Sequence, residues 1–288
     1  MMKAIYKKEV KSYLTSMIGY VFIFFILLLE GIYFTAYNLQ NAYPLFGTTL
    51  SAVTFIFLIL VPVLTMKTIA EERKQKTDQL LLTAPVSVSE IVLGKFLAVA
   101  TVYAIPVLII CLYPMIMGKY GTVSYAMAYT AVLGFALLGF AQIAVGVFWS
   151  SVTENPVIAA VVTFIVLFVC YMITGIGSLI PDSSMASLAC YMLLVLLAAV
   201  WIYHMIRNLW IAAVIGIAGE AALAITYVVK STLFEGSIQK FLSVFDITSH
   251  FDNFTNGILD LQGVVYFLSV IIIFLVLTVQ TITKRRWN

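Results

Sequence analysis

The chain has 288 residues, of which 63% are hydrophobic and 10% charged, with a formal net charge of +3 and a mean hydropathy of +1.08. That balance excludes a water-soluble domain and predicts an all-α polytopic membrane protein, because each crossing needs about 20 apolar residues whose backbone groups are satisfied within the segment. The small positive excess reflects membrane sidedness and gives no hint of nucleic acid.

Residues 1–17 read as an amphipathic helix. Met2, Ile5, Val10, Tyr13, Leu14 and Met17 approximate one face, with Lys3, Lys7, Lys8 and Lys11 mostly on the other, as expected on an anionic inner leaflet. A single transmembrane domain over 18–283 follows, with room for eight spans: Ile18 to Tyr37, Leu50 to Ile69, Phe96 to Met117, Tyr125 to Trp149, Pro156 to Gly175, Leu188 to Met205, Trp210 to Val229 and Val264 to Thr283. Pro62, Pro106 and Pro114 are positioned to kink their spans. Residues 284–288 are a short tail.

Charge asymmetry sets the orientation. With the amino terminus in the cytoplasm, Lys3, Lys7, Lys8, Lys11, Lys67, Arg73, Lys74, Lys76, Lys95, Arg207, Lys284, Arg285 and Arg286 all fall inside. Only Lys119, Lys230 and Lys240 fall outside, and an even span count returns the carboxyl terminus to the cytoplasm. The first span is too long for a signal-peptide core and lacks an A-x-A-like cleavage site after it, so it reads as an anchor. Cys111, Cys170 and Cys190 lie in or beside apolar segments and read as packing residues.

Neither Gly94-Lys95 nor Gly118-Lys119 belongs to a phosphate-cradling loop, since each lacks the upstream glycine and the following Ser or Thr. His204 and His250 form no HExxH motif and no cysteine-histidine cluster, so no metal, cofactor or catalytic residue is expected on this chain. Any energy source is then a gradient or another subunit.

The loop 70–95 is the most informative stretch. Glu71 to Lys76 is a solvated run. Thr77 is placed to cap a short helix, Asp78 favours its N-terminal end, Gln79, Leu80, Leu81 and Leu82 continue it, and Pro85 stops it. Ser87 and Glu90 then have capping-box spacing before the third span. Three consecutive leucines cannot share one helical face, so at least one is available to a partner's groove; otherwise all three dip into the lipid interface.

EERKQKTDQLLLTAPVSVSEIVLGKF resembles the signature loop of permease subunits of type-2 ATP-binding-cassette exporters, most closely the gliding-motility-type subfamily. KKEVKSYLTSMIGYVF is similar to that family's connecting helix, SSVTENPVIAAVVTF to its second cytoplasmic turn, and FDITSHFDNFTNGILDLQGVVYFLSVIIIFLVLTV to its closing segment. Two departures stand out: Lys76 occupies a position where the family commonly has glycine, and Asp78-Gln79 replaces the usual x-Glu. The resemblance implies a bacterial inner or cytoplasmic membrane location. It also implies ATPase coupling through Thr77, Asp78, Gln79, Leu80, Leu81, Leu82 and Thr83, together with Glu154 and Asn155. Mg-ATP would be held by separate cytoplasmic ATPase subunits. The other implied partners are a second permease chain, identical or different, and an auxiliary subunit with an extracytoplasmic domain. The family core has six spans, so residues 188–229 read as an added helical hairpin.

Asn155 followed by Pro156 is a favourable helix start. Over 234–261, Phe234, Ile238, Phe241 and Phe245, then Ile247, Phe251, Phe254, Ile258 and Leu261, follow helical spacing and predict two extracellular, re-entrant amphipathic helices. Ser249 and Asp252 have capping-box spacing. Glu30, about twelve residues or roughly 18 Å into its span, and Glu220, near the middle of another, are intramembrane carboxylates and so candidate pathway or gate residues with Phe245, Phe251 and Phe254. Ala212, Gly216, Glu220 and Ala224 form one stripe suited to close helix contact. A transporter driven by an ion gradient through Glu30 and Glu220 is the alternative function. A prenyl-protein peptidase reading of Glu71-Glu72 fails, because Lys76 stands at the required arginine.

Overall fold

The computed structural model describes residues 2–78 and 86–287, and every regular element among them is helical. Among the described residues six helices are long and apolar enough to cross a membrane, or up to eight if each of two bent pairs counts as one span. The chain divides into two compact units, Met1–Val169 with Ile247–Asn288, and Cys170–Asp246.

The first unit begins with α1 (Met2–Thr15) and α2 (Met17–Tyr33), and Phe34–Gln40 continues α2 with wider turns. Ser16 is extended between them (φ −93°, ψ 152°), and its hydroxyl donates to the Tyr13 carbonyl at 3.1 Å. The second expected span, Leu50 to Ile69, is not one straight helix. It consists of α3 (Phe46–Thr54) and α4 (Phe57–Thr65), bent by 60°. Pro62 has no N–H for the Leu58 carbonyl and crowds it, and one turn earlier the chain breaks into tighter bonds, Leu58 N–H to Phe55 and Ile59 N–H to Ile56.

Next come α5 (Ala70–Lys74), α6 (Val88–Ile110), α7 (Tyr113–Met117), α8 (Tyr125–Val152) and α9 (Pro156–Ser178). The third span thus starts eight residues before the expected Phe96, because Ser87 caps α6 by accepting the Glu90 N–H at 3.3 Å. Pro106 is accommodated within α6, whereas Pro114 lies in the first turn of α7 after a break at Cys111 and Leu112. α8 is the most enclosed long helix, and its glycines let neighbours approach: Gly139 faces the Tyr103 ring and Gly146 faces Thr65. Buried Phe57, Tyr103 and Phe135 form an aromatic core, with the Tyr103 hydroxyl donating to the Phe135 carbonyl at 2.7 Å. In the same unit, α13 (Ser249–Thr255) and α14 (Leu261–Trp287) pack on α8.

The second unit holds α10 (Ser184–Ile206), α11 (Leu209–Val229) and α12 (Ser237–Ser243), the chain bending by 116° after α11. α10 and α11 pack closely where Gly216 meets Ala199 and Gly219 meets Val195. Tyr191, Tyr227, Phe234 and Phe241 join edge to face at one end of the hairpin.

Candidate functional site

One end of the first unit concentrates the charged side chains that the apolar helices exclude. α1 presents Ile5, Glu9 and Tyr13 at four-residue spacing to its neighbours and leaves Lys3, Lys7, Lys8 and Lys11 exposed. Glu9 therefore sits inside the face that apolar residues alone were expected to form. Met17 falls outside that face, 81% exposed, because the chain has already turned at Ser16. Ile5 joins Val86 and Ile91 in a small apolar cluster, and the missing side chain at Gly94 lets Ile5 and the Met2 carbonyl approach α6. The Tyr6 and Thr101 hydroxyls meet at 3.0 Å. Tyr13 donates to the Leu64 carbonyl at 3.2 Å and lies 3.0 Å from the Thr68 hydroxyl. Burial raises the Tyr13 phenol above its ordinary range, partly offset by the Thr68 hydrogen bond, so it stays neutral.

Lys95 is the centre of this region. It is 2% exposed on the first turns of α6, and its ammonium meets Glu72 Oε2 at 2.9 Å, Glu9 Oε1 at 3.1 Å and the Thr68 carbonyl at 2.7 Å. Those three partners occupy its three donors. Glu72 also takes Lys8 at 3.2 Å, so two lysines and two glutamates balance. A buried cation left without partners would cost several kcal/mol, and this arrangement leaves none of its donors unmet.

A second cluster lies beside the first. Ser150, fully buried near the end of α8, accepts the N–H groups of Ile69 and Ala70 and donates to the Met66 carbonyl, each at 3.1 Å. It thereby caps α5 from another helix. Arg73 donates to the Ser151 carbonyl and pairs with Glu154 at 3.4 Å, and Arg285 of α14 reaches Glu154 at 2.9 Å and Asp78 at 3.6 Å. Burial and then the like charge of Arg285 lower the Arg73 guanidinium, while Glu154 and Asp78 pull it back. Glu154 is 62% exposed and Arg285 40%, so the outer pairs contribute at most about 1 kcal/mol each. The buried Ser150 and Arg73 bonds to backbone carry more.

Of the expected coupling residues, Asp78 and Glu154 are brought together through Arg285. Asn155 accepts the Val157 N–H at 2.9 Å and caps α9. Thr77 stands immediately before helical Asp78, and its N–H and hydroxyl both turn back to the Glu72 carbonyl, at 2.9 and 3.3 Å. With Lys76 N–H on the Arg73 carbonyl at 3.1 Å, this is a Schellman closure of α5. Lys76 takes the left-handed position with φ 57°, which explains why a glycine suits that place. Gln79, Leu80, Leu81, Leu82 and Thr83 lie outside the described residues.

The candidate pathway residues divide between the two units, Glu30, Phe251 and Phe254 belonging to the first and Glu220 and Phe245 to the second. Glu30 is fully buried in α2 with both carboxyl oxygens unpartnered, within electrostatic reach of Tyr103 and Tyr113. Glu220 lines a groove of the second unit with Met192, Ala199 and Gly216, its oxygens enclosed and unpartnered. Phe245 is 47% exposed, whereas Phe251 and Phe254 are buried, Phe254 packing on Phe267 and against Gly134. The expected helical pattern runs out at Asn256, for Gly257 adopts φ 76° and Ile258 and Leu261 are exposed. Ser249 is the first residue of α13 and Thr248 holds its cap position, one residue before the cap expected from the sequence.

Reading the sequence missed Glu9, Glu72, Lys95, Ser150 and Arg285 as partners. The one signal was Lys95 itself, a cation flanked by Val92, Leu93, Phe96 and Leu97.

No curated protein matches the chain. The family model for ABC-2 family transporter protein matches residues 3–285, from the first turn of α1 to the Arg285 that closes the second cluster. With only helical elements and up to eight spans among the described residues, and that match over nearly its whole length, the chain belongs to the ABC-2 transporter family and is a membrane permease of the ATP-binding-cassette type.

Proposed function

We propose that this chain is the permease subunit of an ATP-driven exporter of the gliding-motility-type subfamily, in a bacterial cytoplasmic membrane. In this reading the charged end and both termini face the cytoplasm. Two permease chains form the pathway between them, with an auxiliary subunit bearing an extracytoplasmic domain as a further companion. Two ATPase subunits holding Mg-ATP grip the loop 77–83, and their closure moves the attached spans as rigid bodies.

One observation carries the reading: the loop with the three leucines departs from a cross-braced base. On its upstream side, Glu72, Arg73 and Asp78 are tied to α6, α8 and α14, and on its downstream side Ser87 starts α6. A loop that serves only as a connection has no need of such bracing, whereas one that receives a push does.

The test is copurification in gentle detergent. Leu81→Glu and Leu82→Glu are expected to lose the ATPase found with the unaltered chain while inserting into the membrane normally; retention of the ATPase refutes the reading. The gradient-driven alternative draws on the buried, unpartnered Glu30. It requires the purified chain alone in liposomes to move a solute under a pH gradient, and Glu30→Gln and Glu220→Gln to stop it.

A further inference from the structure

We infer that Lys95 is a positioning residue that bolts α1 and the base of the loop 77–83 to the start of α6, so that these three elements move as one body. The inference rests on the reading of that loop as the contact for an ATPase, and it adds which part of the chain the push reaches.

Three observations combine. Lys95 contacts α1 through Glu9, α5 through Glu72 and the segment after α4 through the Thr68 carbonyl, at 3.1, 2.9 and 2.7 Å. These partners come from positions 86, 23 and 27 residues away in sequence. Thr68 is also held by Tyr13 of α1, which closes a ring of polar contacts: α1 to Thr68, Thr68 to Lys95, Lys95 back to α1.

The charge arithmetic makes Lys95 the keystone of that ring. Glu9 and Glu72 are only 12% and 16% exposed at their side chains, and both face the same ammonium. Take that ammonium away and two carboxylates are left side by side, with only the exposed Lys8 to share, at 3.8 and 3.2 Å. Two like charges that both lie about one ammonium's reach from the same point, at 3.1 and 2.9 Å, repel strongly in a poorly hydrated site, so α1 and α5 separate from α6 and take up water. A methionine in place of Lys95 fills nearly the same space, so the effect expected is one of charge and not of a hole. By the same logic, neutralising one of the two carboxylates restores balance, since Lys8 then has a single partner.

The experiment is amide hydrogen exchange on the full chain in detergent, alone and with its copurified ATPase, for the unaltered chain and for Lys95→Met, Lys95→Met with Glu72→Gln, and Glu9→Gln. Lys95→Met is expected to speed exchange in α1 and in residues 70–78 by at least about tenfold, with α8 unchanged, and Glu72→Gln to reverse most of it. The ATP hydrolysis rate of the complex should fall with Lys95→Met and recover in the double variant. Glu9→Gln keeps the loop anchored and should loosen α1 alone, which supplies a reading even if Lys95→Met does not fold. Exchange in Lys95→Met equal to that of the unaltered chain overturns the inference, as does a loosening that Glu72→Gln fails to reverse. If the unaltered chain brings down no ATPase, the functional reading falls, while the exchange data still decide whether Lys95 is the bolt.

Discussion

Replacing Ser150 by alanine removes one oxygen atom, yet three backbone groups depend on it. The hydroxyl accepts from Ile69 and Ala70 and donates to Met66, all at 3.1 Å, at a position with no solvent exposure. α5 has no side-chain cap of its own, Ile69 occupying the cap position with φ −128° and ψ −40°. A helix cap lost to alanine costs about 1 kcal/mol. Here two buried donors and one buried acceptor are left unmet, at roughly 1 kcal/mol or more each, so Ser150→Ala should destabilise the chain by about 3 kcal/mol. Reversible unfolding in mixed micelles measures this, with Ser89→Ala as the control, because that exposed hydroxyl donates only to Ser87 and its loss should cost under about 0.5 kcal/mol. Exchange at the Ile69 and Ala70 amides should rise in the Ser150 variant. A loss within about 0.5 kcal/mol of zero refutes the argument that Ser150 carries the base of the loop.

Three other outcomes are expected. Lys76→Gly should stabilise the chain by about 1 kcal/mol, since the left-handed φ of 57° burdens a residue with a Cβ; a loss of stability in the same unfolding assay counts against the Schellman closure. Glu30→Leu should raise stability by about 1 to 3 kcal/mol, because neither carboxyl oxygen has a partner in a fully buried site, and a variant that unfolds more readily shows that Glu30 has a favourable partner. Asp260 accepts from Asn253 and from the Gln262 N–H, both at 2.9 Å, and the Asn253 hydrogen bond lowers its pKa. A carboxylate lowered in the folded state stabilises above its unfolded value and loses that contribution as pH falls through the folded one. The start of α14 should therefore exchange faster only in the acid range, and Asp260→Asn should remove that dependence.

What the amino-acid order determined by itself is the set of helices and most of their starts. Apolar runs of membrane length, Ser87 before Val88 and Asn155 before Pro156 act within a turn or two of chain, and a helix closes its own hydrogen bonds locally, so these features were legible. The departure at Lys76 was legible too, although its meaning came only with the left-handed backbone at that residue. A kink in the second span was legible from Pro62, but the 60° bend between Thr54 and Phe57 was not, because hydropathy is blind to a bend that leaves the segment apolar. Glu9 on the packed face of α1, Lys95 between two glutamates and Ser150 as a cap for α5 were decided by tertiary structure alone. Each becomes intelligible only when α1 lies on α6 and the end of α8 meets the segment after α4. A charge can enter an apolar interior only where its opposite arrives from elsewhere in the chain, and local periodicity carries no record of which distant segment brings it.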